Sequence, residues 1–177
     1  IIDSGTVIGA DGYGLISDNN THHKIPHIGS VSIGNNVWIG SNCSIDRGTL
    51  SNTVIGSGSK LDNLIHIAHN VIIGKNCLLA AQVGIAGSSM LKDNVTLAGQ
   101  VGIIGHLTIG KGSIVAAKSA VYQSIGPDSF VSGIPARHHK DRLRQDVIVN
   151  QLPNILNRIR KLEKEFSIIE DNNCDRE

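Results

Sequence analysis

Aromatic residues are scarce in this chain: two Phe, two Tyr and one Trp among 177 residues. A single core of that size normally leans on large rings. Their scarcity points instead to many small compartments filled by Ile, Leu, Val, Ala and Ser. An excess of one charge is also missing. Sixteen Lys and Arg stand against fifteen Asp and Glu, which gives no electrostatic basis for binding nucleic acid. No stretch approaches the roughly 18 apolar residues of a membrane-spanning helix. The first residues lack the basic stretch and apolar run of a secretory signal. The three cysteines, Cys43, Cys77 and Cys174, are odd in number and show no Cys-x-x-Cys spacing. This argues against a disulfide framework or a zinc site and for reduced thiols. Together these absences predict a cytoplasmic protein. The chain opens Ile1-Ile2-Asp3 rather than with Met, which is compatible with a fragment or a trimmed chain.

What is present is a repeat. In steps of six from Ile55 stand Leu61, Ile67, Ile73, Leu79, Ile85, Leu91, Leu97, Ile103, Ile109, Val115 and Val121, all aliphatic. The residue after each is usually small, as at Gly56, Ala68, Gly74, Ala80, Ala86, Ala98, Gly110 and Ala116. Ile33, Ile39 and Ile45 keep the period but sit four residues out of phase, which predicts a short insertion near 50–53. Period six fits neither a helix nor a hairpin array. It fits the hexapeptide form of the parallel β-helix, in which three hexapeptides close one triangular coil. Asn35, Asn36, Asn70, Asn76 and Asn94 fall at predicted corners, where Asn tolerates positive φ.

Two stretches leave the repeat. Residues 13–30, "YGLISDNNTHHKIPHIGS", are polar and irregular and read as a solvated excursion loop carrying His22, His23 and His27. After "SGIPAR" the charge rises and glycine disappears. Ile148, Leu152, Ile155, Ile159, Leu162, Phe166 and Ile169 form a heptad stripe, with Pro153 expected to break the helix or start a second segment. The residues after Ile169 read as frayed. The predicted domains are a β-helix over 1–136, with the excursion at about 13–30, and a helical tail over 137–177. A prism of flat faces has no deep cavity, so a site must form where prisms meet or where a loop folds over. The apolar tail stripe supplies a reason to trimerise.

On the lattice, His69 and His106 lie two coils plus one residue apart, about 10 Å along the axis. Gly87 follows His69 by one coil. A base and a backbone N–H one coil apart suit acyl transfer: the base takes a proton from the incoming nucleophile and the N–H stabilises an oxyanion. Asp62 and Asn63 precede His69 by one hexapeptide and are candidates to orient its ring or hold a substrate hydroxyl. His66 falls at an outward position and reads as surface. A zinc site like that of the γ-class carbonic anhydrases needs a further His about five residues after the second; "LTIGK" follows His106 instead, so no metal is expected. Spacing alone leaves His69 open between catalyst and surface.

The blocks "IGADGYG", "KIPHIG", "SIDRGTLSNTVIGSGSKLDNLIHIAHNVIIG", "QVGIAGS", "GQVGIIGHLTIG" and "SGIPAR" resemble the UDP-3-O-acylglucosamine N-acyltransferases of lipid A biosynthesis over about residues 5–170. The resemblance implies a homotrimer of left-handed β-helices, without a cofactor. It implies transfer of an (R)-3-hydroxyacyl chain from acyl carrier protein to the 2-amino group of UDP-3-O-acylglucosamine. It also implies His69 as general base, His106 as a second active-site histidine, Gly87 as oxyanion donor, and Asp62 and Asn63 on the substrate side. Arg137, Lys140, Arg142 and Arg144 look like a landing surface for the acidic carrier protein. The uridine-holding N-terminal domain of that family is missing from these residues. Cys43 and Cys77 fall at inward positions, and no Ser has a nucleophile-elbow context, so transfer is expected to be direct, without an acyl-enzyme. Ala120 and Tyr122 are candidates for the floor of an acyl groove. The rival readings are the sister UDP-N-acetylglucosamine O-acyltransferase and a non-catalytic trimeric scaffold.

Overall fold

Aliphatic residues six apart, each followed by a small residue and a turn, leave room only for very short strands. The computed structural model describes residues 1–174, and the side chains of 1–164. Two-residue strands recur every six residues from Lys60–Leu61 to Ala120–Val121. They stack into three parallel sheets of six, five and seven strands, the last ending in one antiparallel strand, Arg137–His138. His66–Ile67 pairs with Gly84–Ile85, which pairs with Gly102–Ile103, which pairs with Ala120–Val121. Each coil therefore takes 18 residues, as the repeat predicts. The fold is a left-handed parallel β-helix.

Inside the prism the aliphatics stack on their own kind. Ile67, Ile85, Ile103 and Val121 form one buried column and Ile55, Ile73, Leu91 and Ile109 another. Each contributes about 1.5–3 kcal/mol by leaving water. The small inward positions accept Ser because the hydroxyl bridges neighbouring coils. Ser59 Oγ donates to the Gly74 carbonyl at 3.0 Å and accepts from the Cys77 N–H at 3.1 Å.

The corners explain the asparagines. Asn36, Asn42, Asn70, Asn76 and Asn94 all have positive φ, 54–61°. Asn35 does not, and the left-handed residue of that corner is Asn36. Other corners carry Leu64, Gln82, Ser88, Gln100, His106 and Lys118 in the same conformation, held there by the stacked coils rather than by residue preference.

The phase shift is a loop between the strands Ser44–Asp46 and Thr53–Ile55. Below it the stacking offset is 22 residues, with Ile33 on Ile55, Ile39 on Leu61 and Ile45 on Ile67. The excursion is exposed, as expected, but it is not irregular. Leu15–Asp18 pairs antiparallel with Thr21–Lys24 across Asn19 and Asn20, both at positive φ. That is the two-residue hairpin turn whose twist suits its strands.

The chain divides into two compact units, Ile1–His139 and Lys140–Glu177. In the second, one helix runs from His139 to Cys174 straight through Pro153. The expected break does not occur, and helix persists past Ile169. Ile148, Leu152, Ile155, Ile159 and Leu162 are exposed; the side chains of Phe166 and Ile169 lie outside the described residues. Among the described residues no helix is long and apolar enough to cross a membrane.

Candidate active site

The corner after the strand His66–Ile67 presents Ala68, His69 and Asn70. Positive φ at Asn70 turns the chain here and brings its amide back alongside His69. His69 Nδ1 lies 2.9 Å from Asn70 Oδ1. Asn70 Oδ1 also takes the backbone N–H of Thr49 at 3.1 Å and the Thr49 hydroxyl at 2.5 Å. Asn70 Nδ2 donates to Ser51 Oγ at 2.7 Å. A backbone N–H can only donate, so this network fixes the amide orientation. The oxygen facing His69 is then an acceptor, and Nδ1 must carry the proton. In the neutral ring Nε2 is then bare, which is the form a general base needs. The sequence marked Asn70 only as a corner; it is also the residue that sets the tautomer.

Gly87 stands one coil above. A Cβ there would lie 2.6 Å from His69 Cε1 and 2.7 Å from Nε2. Only glycine leaves that space, and its φ is not in the left-handed region. The Gly87 carbonyl accepts the His106 N–H at 3.1 Å, and the His69 carbonyl accepts the Ser88 N–H at 3.0 Å. Among the described residues, nothing accepts the Gly87 N–H.

A cavity of about 610 Å³ opens on this edge. Its floor is two columns of mostly small residues, Gly84, Gly102 and Ala120 beside Ala68, Ala86 and Ile104, with His69 at one end and Tyr122 at the other. Such a floor suits a narrow apolar chain. Tyr13, from the excursion, lines the same cavity.

His66 is exposed, as an outward position requires, yet it is not bare surface. It lines the cavity, and its Nε2 lies 3.7 Å from Oδ2 of buried Asp46. Burial raises the Asp46 pKa, opposed by the nearby histidines 66, 69 and 27. His27 also departs from expectation. It is 4% exposed, and its ring meets that of His69 edge-on at 5.4 Å. His22 and His23 lie on the exposed hairpin strand. The excursion is tied down by Asp11, which pairs with Lys24 at 2.7 Å and lies 3.9 Å from Arg47. The hydrogen bond from Lys24 holds the Asp11 carboxyl below its ordinary value. The signal for this fold-over was in the sequence, as two four-residue segments joined by Asn-Asn.

Other candidates fall elsewhere in the single chain. Asp62 and Asn63 form the corner before His66, at the opposite end of that strand from His69. Asn63 Oδ1 accepts the Ser41 N–H at 2.8 Å, and Asp62 lines a separate groove with Trp38 and Lys60. His106 shares the edge of His69, one residue past Gly105, but is exposed and outside the cavity lining. Cys43 and Cys77 are buried, and burial raises the Cys77 thiol pKa; neither can act as a nucleophile. Arg142 is bidentate to Asp146 and Arg144 pairs with Asp141, so half of the basic set around the helix start is already paired. No three metal-ligating side chains converge among the described residues.

The model for bacterial transferase hexapeptide (six repeats) matches residues 52–87. The UDP-3-O-acylglucosamine N-acyltransferase of Thermosynechococcus vestitus is 48% identical over 161 residues, 90% of this chain and 48% of that protein. The enzyme of the same name from Janthinobacterium sp. is 41% identical over 172 residues, 97% of this chain and 49% of that protein. The chain thus spans about half the length of the curated relatives it matches. Among solved structures, the UDP-N-acetylglucosamine acyltransferase of Campylobacter jejuni superposes with a TM-score of 0.66 at 26% identity, over 76% of this chain and 50% of that one. That of Bacteroides fragilis gives 0.68 at 25% identity, over 78% and 52%. Over residues 52–87 the chain carries the repeat of the bacterial hexapeptide transferases, and over nearly its whole length it is similar to one half of the UDP-3-O-acylglucosamine N-acyltransferases.

Proposed function

We propose that the chain carries the catalytic prism of an acyltransferase. It moves an (R)-3-hydroxyacyl chain from acyl carrier protein to the 2-amino group of UDP-3-O-acylglucosamine in lipid A biosynthesis. The observation that carries this is the histidine pinned at Nδ1, with Nε2 beside the open face of Gly87 at the end of an apolar groove. The amine attacks the thioester carbonyl as His69 Nε2 takes its proton. The Gly87 N–H donates to the oxyanion. As the intermediate collapses, the C–S bond breaks, the C–N bond stays, and the thiolate leaves with the proton returned by His69. The buried cysteines favour this direct route over an acyl-enzyme. The acyl chain lies along the floor of Gly84, Gly102 and Ala120 towards Tyr122.

Asp62 and Asn63 sit on a different prism edge from His69, and His106 stands at the corner two coils up. A homotrimer, with clefts between neighbouring prisms, gives each of them a place beside a bound substrate. The exposed heptad stripe of the helix supports the same assembly. Arg137 and Lys140 are the cations left for an acidic carrier protein. The absence of a membrane-spanning helix among the described residues fits a cytoplasmic enzyme.

The solved neighbours are named as acyltransferases of UDP-N-acetylglucosamine, so acylation of a hydroxyl is the second reading. Offering UDP-3-O-acylglucosamine and UDP-N-acetylglucosamine in parallel, with acyl carrier protein as donor, separates the two. Amide formation on the first alone is expected. Ester formation on the second would move the assignment to the sister reaction, and inactivity with both would leave a trimeric scaffold.

A further inference from the structure

His27 is built into the site in a way the reaction above does not use. Its Nδ1 lies 2.9 Å from the Ile25 carbonyl, which can only accept, so Nδ1 carries the proton. Its Nε2 is then a bare lone pair. Among the described residues that atom is the one buried side-chain nitrogen or oxygen without a hydrogen-bond partner. Interiors seldom keep such an atom without a reason.

The surroundings supply one. The His27 ring stands at 71° to the His69 ring, with centroids 5.4 Å apart. Gly12 closes the remaining gap. A Cβ on Gly12 would lie 2.9 Å from His69 Cβ and Cδ2 and 3.0 Å from His27 Nε2. His27 is therefore sealed from the cavity and cannot touch substrate. Its Nε2 faces this niche, not the solvent. The bond from Nδ1 to Asn70 holds the His69 ring at one point only. An edge contact from the other side is what stops it pivoting about that bond. Gly87 leaves the space into which Nε2 points, and His27 with Gly12 backs the opposite edge.

We propose that His27 is a positioning residue. The excursion over about residues 13–30 folds back on the prism to bring a second, buried imidazole against the base and hold its Nε2 beside Gly87. The inference rests on the general-base reading of His69. The ion pairs of Asp11 with Lys24 and Arg47 keep the excursion closed, and the Nδ1 bond to Ile25 keeps His27 rigid within it.

The test uses the full chain with His27→Leu, His27→Gln and Gly12→Ala, read in two ways. In acyl transfer, His27→Leu should lower kcat roughly 10- to 100-fold with KM for both substrates little changed. His27→Gln, whose side chain reaches as far as Nε2 and so still backs the His69 ring, should restore most of it. Without substrate, long-range ¹H–¹⁵N correlation should show wild-type His69 protonated at Nδ1 and bare at Nε2. In His27→Leu the tautomer should persist, because Asn70 still accepts from Nδ1, while the His69 ring resonances shift and broaden as the ring pivots. If His27→Leu does not fold, Gly12→Ala presses on the same two rings and should give the same fall in kcat. Unchanged kcat with an unchanged His69 spectrum would overturn the proposal, and so would a loss of thermal stability alone. If wild-type protein transfers no acyl group, the general-base reading fails. The His69 spectrum then still decides whether His27 holds the ring.

Discussion

Gly87→Ala perturbs the site with little else disturbed. The backbone at Gly87 is not in the left-handed region, so alanine carries no conformational penalty there. Its Cβ arrives 2.7 Å from His69 Nε2 and 2.6 Å from Cε1, where ordinary contact begins at 3.4 Å. The ring must therefore retreat by about 0.7 Å, a shift set by van der Waals contact. It cannot retreat freely, because Asn70 holds Nδ1 and His27 and Gly12 occupy the far side. A base displaced by close to 1 Å loses about 100-fold in rate, or about 2.7 kcal/mol of transition-state stabilisation. The new methyl also crowds the approach to the Gly87 N–H, which removes part of the oxyanion stabilisation. Steady-state transfer from (R)-3-hydroxyacyl carrier protein, with a thermal melt beside it, reads both sides. The expected result is kcat down by about two orders of magnitude with the melting temperature nearly unchanged. Wild-type turnover by Gly87→Ala would show that Nε2 of His69 is not where the chemistry occurs.

Asn70→Ala should cut kcat by roughly 10- to 100-fold through loss of the enforced tautomer. It should also destabilise by about 1–3 kcal/mol, because the Thr49 N–H loses its acceptor and alanine must adopt positive φ; denaturant unfolding measures this. Burial raises the Asp46 pKa in the folded state. Its contribution is therefore most favourable below the ordinary carboxyl value and is lost as pH rises through the folded value. Asp46→Asn should gain stability relative to wild type in neutral melts, and the gain should fade as pH drops through that window. Lys118, exposed at φ 56°, should stabilise the prism by about 0.5–1 kcal/mol when changed to Asn, which suffers less in that conformation; calorimetry decides it.

The prism was legible because one rule governs it: an aliphatic every sixth residue, from Ile55 to Val121, needs no partner beyond its own coil neighbours. The same lattice placed Gly87 directly over His69. It also exposed the four-residue slip that the structure shows as the loop between Asp46 and Thr53. Residues off the lattice were harder. His27 lies in a stretch without the six-residue period, and only the Asn19-Asn20 turn hinted that it would pair and fold inward. Asp46 sits on a strand, and nothing in the repeat marks it as buried beside His66. Asn70 looked like any corner residue, since its bonds to Thr49 and Ser51 come from the inserted loop. Pro153 was read as a break. Its helix is exposed over residues 147–164, so the backbone carbonyl it leaves without a partner can be satisfied by water.

The most direct measurement is single-turnover acyl transfer from (R)-3-hydroxyacyl carrier protein to UDP-3-O-acylglucosamine, by wild type and His69→Ala at saturating substrates. Wild type should form the amide, and His69→Ala should be slower by roughly 100- to 10,000-fold, the contribution typical of a general base, with its melting curve retained. Equal rates from the two proteins would contradict His69 as the base that takes the amine proton.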